Sequence, residues 1–252
     1  HDTVRRQRQM CIRDSVYFGD LHVHTKHSFD AYIFGTTATP DDAYVYAKGN
    51  SIKHPLGYDM QLREPLDFYA VTDHGFLLGS VEDWADPNNG KAGTEPFHNL
   101  NAPENLTQES VAYRSGLFQN YVRNIAQFSN IWTRTVAAVT GDSARGSTIY
   151  DVDAHRTAWK DVIESAQRHN DPGNFTTFVA YEFTASTTRS ANTQGASAFN
   201  CWLSGTGCAF EGAPPFENAN LHRNVIYKGN KFTVEPYTCL LYTSDAADEL
   251  CR

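Results

Sequence analysis

Two histidines stand one residue apart in Gly19-Asp20-Leu21-His22-Val23-His24-Thr25, at the end of a short apolar run. On a β-strand, residues i and i+2 project from the same face, so both imidazoles can hold one ion, or an adjacent pair, from a single rigid edge. Taken alone, such a pair fits two ordinary strand histidines as well as it fits ligands. Further candidates recur at strand ends or in the loops beside them: Asp30, His74 in Thr72-Asp73-His74-Gly75, Glu182, and His222 next to Arg223. Four imidazoles and two carboxylates form a mixed nitrogen and oxygen donor set, which suits Zn, Mn or Fe.

The elements that must position these groups can be read along the chain. Residues 16–24 read as a buried strand and 25–35 as the loop after it. Thr39 is a good N-cap, Pro40 suits the first helical position, Asp41 and Asp42 suit the first turn, and Gly49 stops the helix. Residues 66–72 form a second apolar run. Residues 76–106, rich in Asn, Pro and Gly, read as a long surface loop with Glu82, Asp83 and Asp86 solvated. Helical spacing follows over 107–139 (Leu117, Tyr121, Ile125, Phe128, Ile131) and over 152–169, where Trp159, Val162, Ile163 and Ala166 face inward.

Residues 175–181 read as a third strand that ends in Glu182. A loop dense in Ser, Thr, Asn and Gly occupies 184–220, and 221–227 opens a fourth strand with His222 and Arg223 at its entrance. The alternation of strands and helices predicts an α/β protein with a mostly parallel sheet or barrel.

Composition narrows the partner. The chain has 252 residues and 40% hydrophobic content, enough for a buried core in one large domain or two small ones. A net charge of −8 argues against nucleic acid held on a broad basic face, so a small or medium molecule is the expected partner. No apolar run approaches the roughly 18 residues of a membrane span. The first 15 residues and residues 239–252 resemble translated sequencing-adapter read-through, which leaves 16–238 as the native stretch. Cys11, Cys239 and Cys251 then drop out of the cysteine count. Cys201 and Cys208 remain, either as two thiols or as a disulfide that would favour a periplasmic or secreted protein.

Gly-Asp-Leu-His-Val-His-Thr followed by Ala-Val-Thr-Asp-His-Gly resembles the PHP superfamily, the polymerase and histidinol phosphatase metal hydrolases. Tyr181-Glu182-Phe183 and the stretch from Asn220 to Ile226 resemble an uncharacterised bacterial branch of it, a domain of unknown function. The resemblance covers about 16–238 and implies a distorted (β/α)7 TIM-like barrel with a cluster of two or three metal ions. Carried over by motif, His22 and His24 are the paired ligands, Asp30 the loop ligand, His74 the second-strand ligand, Glu182 a bridging carboxylate and His222 a further ligand. The family also implies a later histidine and an Asp-x-His pair. Neither occurs before the tail, so the chain reads as the first part of a barrel whose C-terminal strands are missing.

The chemistry implied is metal-assisted hydrolysis of a phosphorylated or other oxyanion-ester substrate. Arg223 is then the candidate cation for the oxyanion, with a structural ion pair as its alternative role. His27 is a candidate proton donor, or a solvated loop residue beside Lys26. Asp20 and Asp73 either fix imidazole tautomers or cap strand ends. His54, His98, His155 and His169 read as surface or helix histidines. Two other functions fit the same motifs: an amidohydrolase-like C–N hydrolase, and a non-catalytic binding domain stabilised by metal.

Overall fold

The computed structural model describes residues 16–86, 100–106, 110–124, 151–187 and 219–236. Seven strands and five helices lie within them: β1 (Gly19–Asp20), α1 (Phe29–Ile33), α2 (Pro40–Ala47), β2 (Ile52–Lys53), β3 (Asp59–Met60), β4 (Phe68–Tyr69), α3 (Ser80–Ala85), α4 (Ser110–Asn124), α5 (Val152–His169), β5 (Thr176–Thr177), β6 (Ala180–Thr187) and β7 (Ala219–Ile226).

The architecture is mixed α/β. A parallel sheet runs β1-β4-β5, pairing Gly19 with Phe68 and Phe68 with Thr176. Its hydrogen bonding outlasts the short strands, since Ala70 donates to Asp20 at 3.0 Å and Thr72 to Val23 at 2.7 Å. The ladder therefore carries the chain in register as far as the His22/His24 pair. Among the described residues the sheet does not close into a barrel.

Expected boundaries move: the buried strand expected over 16–24 shortens to the exposed Gly19–Asp20, and that over 66–72 to Phe68–Tyr69. Glu182 does not end a strand but lies inside β6, which pairs antiparallel with β7. His222 and Arg223 likewise sit within β7, away from its entrance. β6 still joins the parallel part of the fold on its other side. Glu182 N–H donates to the Asp73 carbonyl and Gly75 N–H to the Glu182 carbonyl, each at 2.9 Å. The chain thus switches partners between β5 and β6, and the switch sets Glu182 directly beside His74.

Local signals account for the helices. Thr39 and Asp42 form a reciprocal capping box at α2, with Pro40 in the first turn. Asp151 caps α5 by accepting from Asp153 and Ala154 N–H. The apolar stripe of α5 (Ala158, Trp159, Val162, Ala166) packs on Tyr44 of α2, on Tyr69 and Val71, and on Phe175, Val179 and Tyr181 to form the main core. Ile163 lies at its margin, partly buried.

A second core corrects the long surface loop expected from residue 76. Phe76, Leu77, Val81 and Ala85 are buried against Phe29 and Ile33 of α1, with Leu100 and Leu117. Asn, Gly and Pro are concentrated at 87–97, and they masked the apolar spacing of the eleven residues before them. Arg114 of α4 is buried and braces this core, donating to the carbonyls of Ile33 at 2.7 Å and Leu100 at 2.5 Å. Tyr121 lies on α4, while Ile125, Phe128 and Ile131 fall outside the described residues, as do His98 and the Cys201/Cys208 pair. No helix among the described residues is long and apolar enough to cross a membrane.

Thr39→Ala removes the side-chain half of the α2 capping box and should lower stability by about 1 kcal/mol, whereas Thr39→Ser should retain most of it. Chemical denaturation of both variants checks this.

Candidate metal centre

Five parts of the fold deliver six side chains to one place. His22 and His24 leave the end of the β1 ladder, Asp30 lies in α1, His74 follows β4, and β6 and β7 contribute Glu182 and His222. The β6–β7 register pairs Glu182 with Asn224 and Thr184 with His222, and directly opposed residues share a face. Asn224 also donates to the Leu21 carbonyl at 2.6 Å, tying this ribbon to the segment that carries His22.

Glu182 is the hub, only 1% exposed. Its Oε2 lies 3.0 Å from His22 Nε2 and 2.7 Å from His24 Nε2, and its Oε1 contacts His222 Nδ1. His24 Nδ1 turns to Asp30, 3.1 Å from Oδ2, and His74 Nε2 approaches the same oxygen at 3.5 Å. Three overlapping groups result: His22/His24/Glu182, His24/Asp30/His74 and His74/Glu182/His222. Within each, one ligand atom per residue lies within 4.8 Å of the others, close enough to hold a metal ion.

Charge shifts follow from this crowding. Burial opposes ionisation of Glu182, but His74, His222, His22 and His24 outweigh it and lower its pKa. Asp30 behaves alike: burial is overcome by His24 and His74, which hold it well below the usual carboxylate range. Burial alone would lower His24, yet Asp30, Asp73 and Glu182 raise it to about 9.

Two hydroxyls with no signal of their own in the sequence complete the site. Thr184 Oγ1 lies 2.6 Å from His74 Nδ1, which leaves His74 Nε2 to face Asp30. Ser28 Oγ donates to Asp30 at 2.6 Å and accepts from His74 N–H at 3.2 Å. Thr184 stands two residues from Glu182, and strand alternation would have placed it on the same face had β6 been read through that point.

The other candidates stand elsewhere. Arg223 pairs with Phe183, so it projects from the ribbon face opposite Glu182 and His222, and it is exposed. Asp73 binds no imidazole. It accepts from Thr25 N–H and, at 2.7 Å, from Thr25 Oγ1. Its complete burial raises its pKa, against the charge of His27 and the Thr25 hydrogen bonds. Asp20 accepts the backbone N–H of His22 at 2.9 Å. Both carboxylates therefore set the path of the chain that carries His22 and His24.

His27 is neither solvated nor paired with any of the six. Its Nδ1 lies 2.7 Å from Glu82 and its Nε2 2.9 Å from Asp161, and the residue is 8% exposed. Glu82, expected to be solvated, also pairs with Lys26 at 2.6 Å. His155 is buried in α5, and burial lowers it to about 4. His169 reaches Asp41 at 2.8 Å, and His54 stacks on Tyr58.

The fold and site define a mixed α/β protein with a buried carboxylate ringed by four histidines. The family described as "Protein of unknown function (DUF3604)" matches residues 12–194, and the chain belongs to that family. Five of the six clustered residues lie inside the match, and His222 lies beyond it. No curated protein and no solved structure matches the chain.

Burial disfavours the charged form of His27, but Asp161 and Glu82, with Asp73 nearby, raise its pKa from 6.5 to about 9. Lys26 shares Glu82, and Arg168 faces Asp161. A raised folded-state value contributes stability that is full below the unfolded pKa and lost as pH rises through the folded one. Wild type should therefore exceed His27→Gln in stability by on the order of 2 kcal/mol near pH 6, and the gap should close toward pH 9.5. Urea unfolding across that range is the measurement.

Proposed function

We propose that this chain is the metal-binding part of a PHP-type hydrolase that cleaves phosphoesters with two or three divalent ions. His22, His24, Asp30, His74, Glu182 and His222 are the proposed ligands, and Zn, Mn or Fe the proposed ions. The observation that carries this reading is the convergence of those six side chains, drawn from across the sequence, into three overlapping groups, two of which share the buried Glu182. The proposed scaffold is the N-terminal part of a distorted (β/α)7 barrel. The three-stranded parallel sheet, with the cluster at its exit, supports it.

The donor set fits such ions. Imidazoles must be neutral to offer a lone pair, and Glu182, buried, and Asp30, partly buried, would then lack compensating charge. Divalent cations would compensate both. When bound, the ions supply Lewis acidity that activates water near neutral pH and offsets negative charge on a phosphoryl oxygen. The chain's own contribution is orientation. Thr184 fixes the His74 ring, Ser28 holds Asp30, and Asp73 pins the backbone between His24 and Ser28 through Thr25.

An amidohydrolase-like function has less support, because the side chains that pair with Glu182 among the described residues are all histidines, with no lysine.

Metal analysis and a panel of phosphoesters, amides and sulfates test the proposal. His22→Ala/His24→Ala should lose metal and reduce phosphoester turnover by more than about 100-fold, since disturbing even the outer partners of ligands costs about 10–100-fold. Unchanged turnover rejects the assignment, preferential amide cleavage favours the C–N hydrolase, and stoichiometric metal without turnover favours a binding domain. Arg223→Ala, on the opposite ribbon face, should leave turnover within about twofold.

A further inference from the structure

Between His24 and Asp30 the chain makes a tight loop, and His27 stands at its middle. The two ends of this loop are held at and beside the proposed centre: Thr25 by Asp73, and Asp30 by Ser28 and His24. The middle is held from outside. The His27 carbonyl accepts from Gly79 N–H at 2.8 Å, just before α3. Its imidazole then spans the gap between Glu82 of α3 and Asp161 of α5. Gly79 has φ +73°, and a Cβ there would lie 2.7 Å from that of Ala158, so loop, turn and α5 are already in close approach.

We propose that His27 is a positioning residue for the candidate metal centre, clamping the loop that carries His24 and Asp30 onto α3 and α5. The inference rests on reading the six side chains as a metal centre. Asp30 is the ligand candidate whose closest side-chain contacts, to Ser28 and His24, stay within the clamped loop. It sits in the short helix α1, whose N-terminal neighbour Ser28 makes no cap of its own. His24 is in addition held by Glu182, and His74 by Thr184, so those two keep a second anchor. Loss of the His27 imidazole should therefore loosen Asp30 first and weaken the group formed by His24, Asp30 and His74.

The test uses the whole chain and Co2+ as probe, followed by calorimetric titration and by the visible absorption of the bound ion. His27→Gln is compared with the milder Asp161→Asn, whose side chain is 38% exposed, and with His169→Gln. The last breaks another histidine–aspartate bridge on α5, remote in sequence from the loop. His27→Gln should weaken Co2+ binding about tenfold or more and alter the absorption of the complex, with Asp161→Asn intermediate. His169→Gln should stay within about twofold of wild type even if its melting temperature falls as far.

Hydrogen exchange of the metal-free proteins gives the second readout: faster exchange at residues 24–30 in His27→Gln than in His169→Gln. Equal affinity and equal exchange in all variants overturn the proposal and leave His27 a purely stabilising residue. If wild type binds no Co2+, the metal reading fails. Exchange then decides the clamp alone: acceleration at 24–30 upholds it as the anchor of His24 and Asp30, and no change refutes it.

Discussion

A carboxylate cannot remain ionised inside a protein without partners, and Glu182 meets that constraint with four imidazoles. Much of the surrounding architecture can be understood as the means of bringing them there. The parallel ladder between β1 and β4 carries His22 and His24 to the same end of the sheet as His74. The change of partner from β5 to β6 places Glu182 beside His74, and the antiparallel ribbon brings His222 from the far end of the described chain. Each of these is a backbone arrangement whose purpose is visible only at the side chains.

Around this hub, support is layered. Ser28, Thr184 and Thr25 use hydroxyls to fix the groups around Glu182 and the loop beside them, and Asp73 contributes a fully buried carboxyl group to the same task. Phe29 and Phe76 pack against the His74 ring, with ring centres 5.0 and 5.5 Å away. The second core therefore reaches the site directly. Polar satisfaction and apolar packing here are parts of one structure, so a loosened core would be felt as a misplaced imidazole.

What the sequence disclosed was mostly local. The shared face of His22 and His24 follows from a two-residue period, the start of α2 from Thr39, Pro40 and an acidic first turn, and the extent of α5 from its apolar stripe. What it hid was pairing between distant segments. Glu182 looked like a strand end because nothing local announces that β6 continues against β7. Arg223 looked suited to an oxyanion because its face is fixed only by its register with Phe183. His27 reads as a proton donor or a solvated residue and Glu82 as solvated, since the partnership that joins them crosses 55 positions. The apolar spacing of 76–86 was overlooked because the Asn, Gly and Pro residues that follow dominated the window.

The hub and its ring do not share one environment. The side chains of His22 and His222 are 60% and 45% exposed, while the carboxylate they meet is 1% exposed. The cluster is thus a short gradient from bulk water to protein interior, crossed within a single hydrogen bond. Dissolved salt screens charges at the wet end and hardly reaches the dry one. Raising ionic strength therefore acts unequally on one set of contacts, slackening the outer pair while the grip of His24 and His74 on the interior persists.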